Sequence, residues 1–231
     1  MSNNQPSPTP VAAELTPLQQ LLCSYAPVEA RRAAAWIFAL DNRMASIMRS
    51  ASEPILGQLR LSWWRNALRA ATSTRTKGEN LLNAVSDLEV AFPALPDGAI
   101  RIIDGWEVLL TSERLEDADL ENYARERGAG LFHLFAIASG KPGAEGLERA
   151  GRSWALWDLA CHLSDAQARQ RAFDASVREW GMGPPPRWPR ALRPLSMLVT
   201  LMRSDLSAGQ PANAPRRRTW FRLVWHGLTG H

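Results

Sequence analysis

Residues 53–65 form the most distinctive stretch of the chain: Glu53-Pro-Ile-Leu-Gly-Gln-Leu-Arg-Leu-Ser-Trp-Trp-Arg65. Pro54 fits the first turn of a helix, because the N–H that proline lacks would have no intrahelical partner there. Ser52 can accept the N-cap hydrogen bond, and Glu53 complements the positive end of the helix dipole. The stretch therefore predicts a helix that starts at about residue 54 and runs to about Ala71.

Two adjacent tryptophans, Trp63 and Trp64, lie on this predicted helix together with Arg60 and Arg65. Aromatic rings with cations beside them can line an apolar channel that ends in an anion-binding mouth, since arginine holds diphosphate or carboxylate through two hydrogen bonds. The simpler interpretation is a core helix whose tryptophans pack inside and whose arginines pair with acids. Residue spacing alone favours the simpler interpretation.

Apolar residues recur at helical spacing on both sides of this stretch. We predict helices at about 17–25, 27–50, 54–71, 79–91, 97–112, 117–138, 145–163, 164–179, 194–205 and 216–228. Ser164 and Gln167 match a capping box at the start of one of them. No stretch alternates with the period of a strand, so the predicted fold class is all-α. We expect a disordered tail over 1–16, one helical domain over 17–209 and a basic aromatic helix over 210–231.

The composition is that of an ordered globular protein, because 45% of the 231 residues are hydrophobic and 22% are charged. No run approaches the ~18 consecutive apolar residues that a membrane span requires.

Two isolated cysteines, Cys23 and Cys161, are too few for a disulfide framework or a cysteine-based zinc site. The N-terminus does not match a secretory signal, so we expect a cytoplasmic protein. Nucleotide-binding glycine loops and nucleic-acid-binding modules are absent from the sequence, and we expect no nucleic-acid partner.

Positive charge is concentrated toward the C-terminus. Residues 165–231 contain 11 Arg and four acids, a net charge of +7, whereas residues 1–164 carry −3. One segment there mixes arginines with aromatic side chains: Arg216, Arg217, Arg218, Trp220, Phe221, Arg222 and Trp225. A basic amphipathic helix with tryptophans is typical of a contact with a membrane surface. The alternative is a terminal helix that packs its aromatic face on the body.

Three stretches resemble the squalene/phytoene synthase family. Residues 33–68, AAAWIFALDNRMASIMRSASEPILGQLRLSWWRNAL, are similar to that family's early helices, which end in a Glu-Pro…Gly…Arg-Leu-x-Trp-Trp-Arg pattern. Ile102-Ile103-Asp104-Gly105 resembles its Ile-Asp/Glu-Gly block, and Leu120–Gly140 resembles its Tyr…Ala-Gly…Gly-Leu helix. The resemblance spans roughly residues 17–205.

This resemblance implies a single-domain, isoprenoid-synthase-like helical bundle around a deep central cavity. Active members of the family condense two prenyl diphosphates head to head. Two aspartate-rich motifs on facing helices hold Mg²⁺ in those enzymes. Carboxylate oxygens suit this hard cation, and the metal neutralises the departing diphosphate.

The first aspartate-rich motif is incomplete in this chain. Asp41 is present, but Ala45 stands one helical turn later, where a second carboxylate would share the metal. We interpret Asp41 with Arg43 as a residual polar spot near the cavity. Asp104 and Glu107 remain in the Ile-Asp-Gly block and are further candidate catalytic carboxylates.

The second motif is also incomplete, because Asp158 stands without the family's Arg-Asp…Glu-Asp run. If its helix continued unbroken, Asp158, His162 and Asp165 would share one face at spacings of four and three, and the three could hold a metal ion. Capping explains them more simply: Asp165 suits a helix start, and His162 suits a helix C-terminus.

The missing carboxylates favour a catalytically inactive relative with no cofactor, which resembles the family branch known as assembly helpers of respiratory complex I. Such a protein would bind a respiratory-complex subunit, or an isoprenoid or lipid ligand, and lie peripherally on the inner face of the membrane. The alternative is an active transferase on farnesyl or geranylgeranyl diphosphate, with Mg²⁺ on Asp41, Asp104, Glu107, Asp158 and Asp165. A third hypothesis is a helical interaction protein with a filled core. An open pocket between Asp41 and Asp158 would favour the enzyme.

Overall fold

The structure is a computed structural model that describes residues 11–209 except 113, 182 and 184. Within that part of the chain 74% of the residues are helical and none lies in a strand, which confirms the all-α fold class. Over the same residues, no helix has the length and apolar content needed to cross a membrane.

The helices follow one another through short connections. In chain order they are α1 (Pro17–Ser24), α2 (Arg31–Ser50), α3 (Pro54–Arg69), α4 (Asn80–Leu88), α5 (Leu95–Thr111), α6 (Asp117–Tyr123), α7 (Gly130–Ala138), α8 (Leu147–His162), α9 (Ala166–Trp180) and α10 (Arg193–Ala208). A π-helical segment, Ala124–Ala129, joins α6 to α7 without a break, so these three form one helix over 117–138 as the periodicity predicts. Two 3-10 turns, Val11–Glu14 and Arg190–Leu192, complete the set.

Residues 11–16 belong to the folded body, although the sequence places them in the predicted tail. They begin with the 3-10 turn Val11–Glu14, and Leu15 is only 8% exposed. Thr16 then caps α1: its Oγ1 accepts a hydrogen bond from the backbone N–H of Gln19 at 3.2 Å, and the Gln19 side chain accepts one from the backbone N–H of Thr16 at 2.9 Å. This reciprocal capping and the burial of one leucine hold the segment against the bundle.

The start of α2 and the residue that caps α9 differ from the predicted ones. Before α2, the backbone N–H groups of Ala30 and Arg31 bond to carbonyls three residues back, so residues 27–30 are turns and the helix begins at Arg31. Before α9, the N-cap is Asp165 and not Ser164. The Asp165 carboxylate accepts a hydrogen bond from the N–H of Ala168 at 2.7 Å, and a carboxylate also suits the positive helix end.

Glycines let the helices around the π-helical segment approach closely. A Cβ added to Gly105 of α5 would lie 2.5 Å from the backbone nitrogen of Arg127. A Cβ on Gly128 would clash with the carbonyl of Gly151 in α8, and the converse also holds. Backbone therefore packs directly on backbone here, and this close packing brings the side chain of Arg127 to the middle of the bundle.

One hydrophobic cluster connects the helices, from Leu15 to Met202. Its largest fully buried side chains include Trp36, Tyr123 and Phe132. The Trp36 indole N–H donates to the carbonyl of Leu81 at 2.8 Å, so this buried polar group is satisfied.

Candidate functional site

Asp41 and Asp158 face each other in the interior, and the guanidinium of Arg127 lies between them. Arg127 Nε and Nη2 donate to the two carboxylate oxygens of Asp41, at 2.9 and 2.7 Å. The same Nη2 lies 2.8 Å from Asp158 Oδ2. Asp41 comes from α2, Asp158 from α8 and Arg127 from the π-helical segment, so one buried ion cluster ties three elements together. We call it the inner cluster.

Aromatic side chains surround the inner cluster. The indole N–H of Trp106 donates to Asp41 Oδ1 at 2.7 Å, and Arg127 Nη1 donates to the hydroxyl oxygen of Tyr123 at 2.6 Å. The guanidinium carbon lies 4.5 Å from the ring centre of Trp106 and 4.8 Å from that of Trp154, within the range of cation–π attraction. The rings exclude water and the carboxylates compensate the buried positive charge.

Burial alone lowers the pKa of the Arg127 guanidinium, because it removes water from the cation. The negative charges of Asp41 and Asp158 outweigh this effect and raise its pKa well above the ordinary value. Burial also raises the pKa of the Tyr123 phenol, so its hydroxyl stays neutral. The inner cluster therefore holds a permanent cation, with all of its hydrogen bonds directed at the chain's own side chains.

A second cluster, nearer the surface, also consists of one arginine and two carboxylates. Arg65 of α3 donates through Nε and Nη2 to Asp104 Oδ1, at 2.9 and 2.7 Å, and through Nη2 to Glu107 Oε2 at 2.5 Å. Burial lowers the pKa of Arg65, but the hydrogen bonds to both acids raise it to a net value above its ordinary one. We call this the outer cluster. It fastens α3 to α5.

The two clusters together occupy all four carboxylates left as candidate catalytic groups: Asp41, Asp104, Glu107 and Asp158. Mg²⁺ needs carboxylate oxygens that are free to approach it to about 2.0–2.1 Å. Here the oxygens accept hydrogen bonds from arginines, and a guanidinium occupies the space between Asp41 and Asp158. The residues present do not fit Mg²⁺. Among the described residues, no group of three or more His, Cys, Asp or Glu side chains could hold a metal ion.

The suggested metal trio Asp158, His162 and Asp165 does not share a helix face. Helix α8 ends at His162, and Asp165 caps α9, so the unbroken helix that the trio requires does not form. His162 Nδ1 lies 2.7 Å from the carbonyl oxygen of Asp158, and its ring is largely exposed. The capping interpretation of Asp165 is correct, because its carboxylate binds a free backbone N–H.

The four residues proposed for substrate binding are dispersed around α3. Trp64 is buried, whereas Trp63 is exposed and meets it edge to face, with ring centres 5.4 Å apart. Arg60 Nη1 donates to Ser50 Oγ at 3.2 Å on the surface. Arg65 is held in the outer cluster. These side chains do not converge on one mouth, and substrate binding by them stays a prediction.

Arg43 does not belong with Asp41, contrary to the sequence interpretation. It lies 2.6 Å from a Glu14 carboxylate oxygen and 2.9 Å from one of Glu79, at the opposite side of α2 from the inner cluster. Both acids raise its pKa against the lowering effect of burial. Arg43 thus fastens the N-terminal turn and the start of α4 to α2.

The sequence did not identify Arg127 as a site residue, although its guanidinium binds both Asp41 and Asp158 in the interior. Its local signal is weak, because Arg127 follows a second arginine, Arg125, and an acid, Glu126, and nothing in the sequence marks it as the buried one of the two arginines. Its acidic partners lie 86 and 31 positions away in the chain. Only the π-helical turn, with its extra residue, marks the segment as unusual, and π-bulges are frequent at functional sites.

A surface cleft of about 270 Å³ lies between α6, α8 and α9. Its walls carry two arginines, Arg152 and Arg178, and three acids, Asp117, Glu121 and Glu179. Arg152 Nε is 3.0 Å from Glu179 Oε1, so the charges largely compensate one another.

The residues predicted for membrane contact, 216–225, lie outside the described residues.

No family model matches this chain, and neither do any curated proteins or solved structures.

Proposed function

We propose that this protein is a non-catalytic relative of the squalene/phytoene synthases, which acts as a helper in respiratory-complex assembly or as an isoprenoid-binding module. The observation that carries its non-catalytic part is the inner cluster. An arginine of the chain itself lies between the two carboxylates that would hold Mg²⁺ in an active enzyme. Without the metal, nothing would neutralise a departing diphosphate.

The outer cluster supports the same conclusion from a second place in the fold. Asp104 and Glu107 are the other carboxylates that could bind a metal–diphosphate, and both are bound to Arg65. To work as an enzyme, the protein would have to break two arginine clusters before it could load a metal. The rival function, a Mg²⁺-dependent prenyl transferase, requires that opening.

Turnover is the first test. Purified protein is incubated with farnesyl or geranylgeranyl diphosphate and Mg²⁺, and diphosphate release and hydrocarbon formation are measured. We expect neither product. Turnover that disappears in Asp41→Asn would refute the non-catalytic assignment and restore the transferase.

The assembly role has a separate test in the organism that encodes the chain. Its deletion should reduce the amount of assembled complex I on native gels, while unassembled subunits persist. Complementation with the intact chain should restore assembly, and so should Asp104→Asn, a variant that keeps the fold but loses one candidate catalytic carboxylate. Unchanged complex I after deletion would refute this role and leave isoprenoid binding, which is tested by direct titration with a non-hydrolysable prenyl diphosphate.

A further inference from the structure

Helix α3 is apolar on two opposite faces, and residues 11–209 as described cover only one of them. Leu61, Trp64 and Leu68 are buried in the core. On the other side, Ile55, Leu56, Leu59 and Trp63 are between 41% and 61% exposed. Their spacing of three and four residues places them side by side on the helix surface. A surface helix normally buries one apolar stripe and is polar on the opposite face, so a second apolar face calls for a further contact.

These four side chains form one patch, which we call the α3 stripe. The other large exposed apolar residues, such as Val28, Val90 and Val177, are scattered on different elements. Isolated exposed apolar side chains are common on soluble proteins, whereas a contiguous patch marks a contact surface. Trp63 adds an amphipathic ring, of the kind that is enriched where apolar and aqueous surroundings meet.

Positive charge flanks the α3 stripe. On a helical projection Arg60 lies along one edge and Arg69 along the other, and the Arg60–Ser50 hydrogen bond brings in the end of α2, where Arg49 is exposed. Within the described part of the chain these three arginines make no ion pair, unlike Arg43, Arg65 and Arg127. Glu53, the N-cap residue of α3, places one acid at the N-terminal end of the stripe.

From this pattern we infer that the α3 stripe docks on an anionic lipid surface, with Ile55, Leu59 and Trp63 in the boundary between headgroups and acyl chains. A helix that lies in the plane of the membrane, with an apolar face and arginines at its edges, binds such a surface in two ways. Its apolar side chains are buried among the lipids, and its arginines attract the anionic headgroups. Each arginine near the surface contributes about 1 kcal/mol of attraction. The inference stands on the exposed face alone and is independent of the proposed function.

Charge argues against two other occupants of the stripe. A second copy of the chain, docked stripe to stripe, would bring the flanking arginines of both copies together. The chain's own residues 210–231 contain four arginines and no acid, so they would meet the same arginines with like charge. An anionic lipid surface complements the patch, whereas these two repel it.

Vesicle binding by the full chain tests the inference. Co-sedimentation is measured with vesicles of phosphatidylcholine and with vesicles that also contain phosphatidylglycerol. The triple variant Ile55→Ser, Leu59→Ser, Trp63→Ser should bind the anionic vesicles roughly tenfold or more weakly, because three apolar side chains no longer leave water. The matched control, Val28→Ser, Val90→Ser, Val177→Ser, removes apolar residues that are at least as exposed from other parts of the chain and should bind like the unaltered chain.

The flanking charge is tested by Arg60→Gln with Arg69→Gln. Binding to anionic vesicles should fall about thirtyfold, since two arginines at about 1 kcal/mol each are lost, while binding to neutral vesicles stays unchanged. Circular dichroism and thermal unfolding of each variant report whether the fold is kept. All of the substituted side chains are exposed, so we expect native spectra.

A probe on the stripe separates this surface from the C-terminal segment. An environment-sensitive fluorophore on Leu59→Cys should shift to shorter wavelength on anionic vesicles, and the same fluorophore on Val90→Cys should not. If the chain binds vesicles while the probe at position 59 stays in water, or if the stripe variant binds undiminished, the inference is wrong. Dimerisation of the chain without lipid that is abolished in the stripe variant would also overturn it, in favour of a second copy.

Discussion

Arg127 and Arg65 each hold two carboxylates, but they do so at different depths. The side chain of Arg127 is 3% exposed, and it lies under aromatic rings. The side chain of Arg65 is 16% exposed, and its partner Asp104 is 41% exposed. Water can replace a lost partner in the outer cluster, whereas in the inner cluster Arg127 and Asp41 are both out of its reach and only Asp158 is partly exposed. The same chemistry therefore contributes to stability very differently in the two places.

The largest expected change in the free energy of unfolding comes from replacing Arg127, and the comparison is with the same replacement of Arg65. Arg127→Met keeps an apolar side chain among the rings but leaves two carboxylates facing each other in the interior, and breaking a buried cluster in this way costs about 3–5 kcal/mol. Arg65→Met should cost about 1 kcal/mol or less, because its acids become hydrated. Urea unfolding followed by circular dichroism measures both. Equal losses in the two variants would show that depth does not distinguish the clusters.

The second comparison is between the two acids of the inner cluster. Asp41 accepts three N–H donors, from Trp106 and twice from Arg127. Asp158 faces Arg127 with one oxygen and is partly exposed. Asp41→Asn should lower the free energy of unfolding by about 3 kcal/mol and Asp158→Asn by about 1 kcal/mol. A reversed order would mean that Asp158 is the main counter-ion of Arg127, contrary to the geometry.

The smallest effect is a decline in stability at alkaline pH that does not depend on the outer cluster. Burial raises the pKa of the Cys23 and Cys161 thiols from 9.0 to about 12. A thiol whose pKa is raised on folding contributes stability that is complete below the unfolded pKa and is lost as the pH rises toward the folded pKa. Both arginines keep their charge throughout that range, since their pKa values are raised.

Unfolding free energies measured from about pH 8 to about pH 10.5 should therefore decrease, and Cys161→Ala should flatten the decrease. The variant Arg65→Met is the control and should show the unaltered slope. If the slope disappeared in Arg65→Met and persisted in Cys161→Ala, the titrating group would belong to the outer cluster.

Most of the helices could be predicted from the sequence, because their signals are local. Pro54 at the first turn of α3 and Asp165 before α9 act within a few residues of their own position. The start of α2 was predicted four residues too early, since a proline is compatible with a turn as well as with a first helical turn. The expected disordered tail was too long, because the burial of Leu15 depends on a surface that distant helices supply.

The candidate carboxylates were found from the sequence, but their state was not. The residue pattern shows that Asp41 and Asp158 lack neighbouring acids, and it also suggests a trio with His162 that the end of α8 prevents. The sequence could not show that Arg127 lies between these two carboxylates, because an arginine in a helix is exposed far more often than buried. Only the positions of its partners decide which case applies.

The sequence by itself determined the helical fold class, the helix order and the lack of a second acid one turn after Asp41, because periodicity, capping and composition act over one or two turns. The tertiary structure alone decided that Arg127 fills the place between Asp41 and Asp158, that Arg65 binds Asp104 and Glu107, and that one face of α3 is left bare. Burial and charge pairing are properties of groups brought together across the chain. Their energies depend on the three-dimensional neighbours of each side chain and not on its neighbours in sequence.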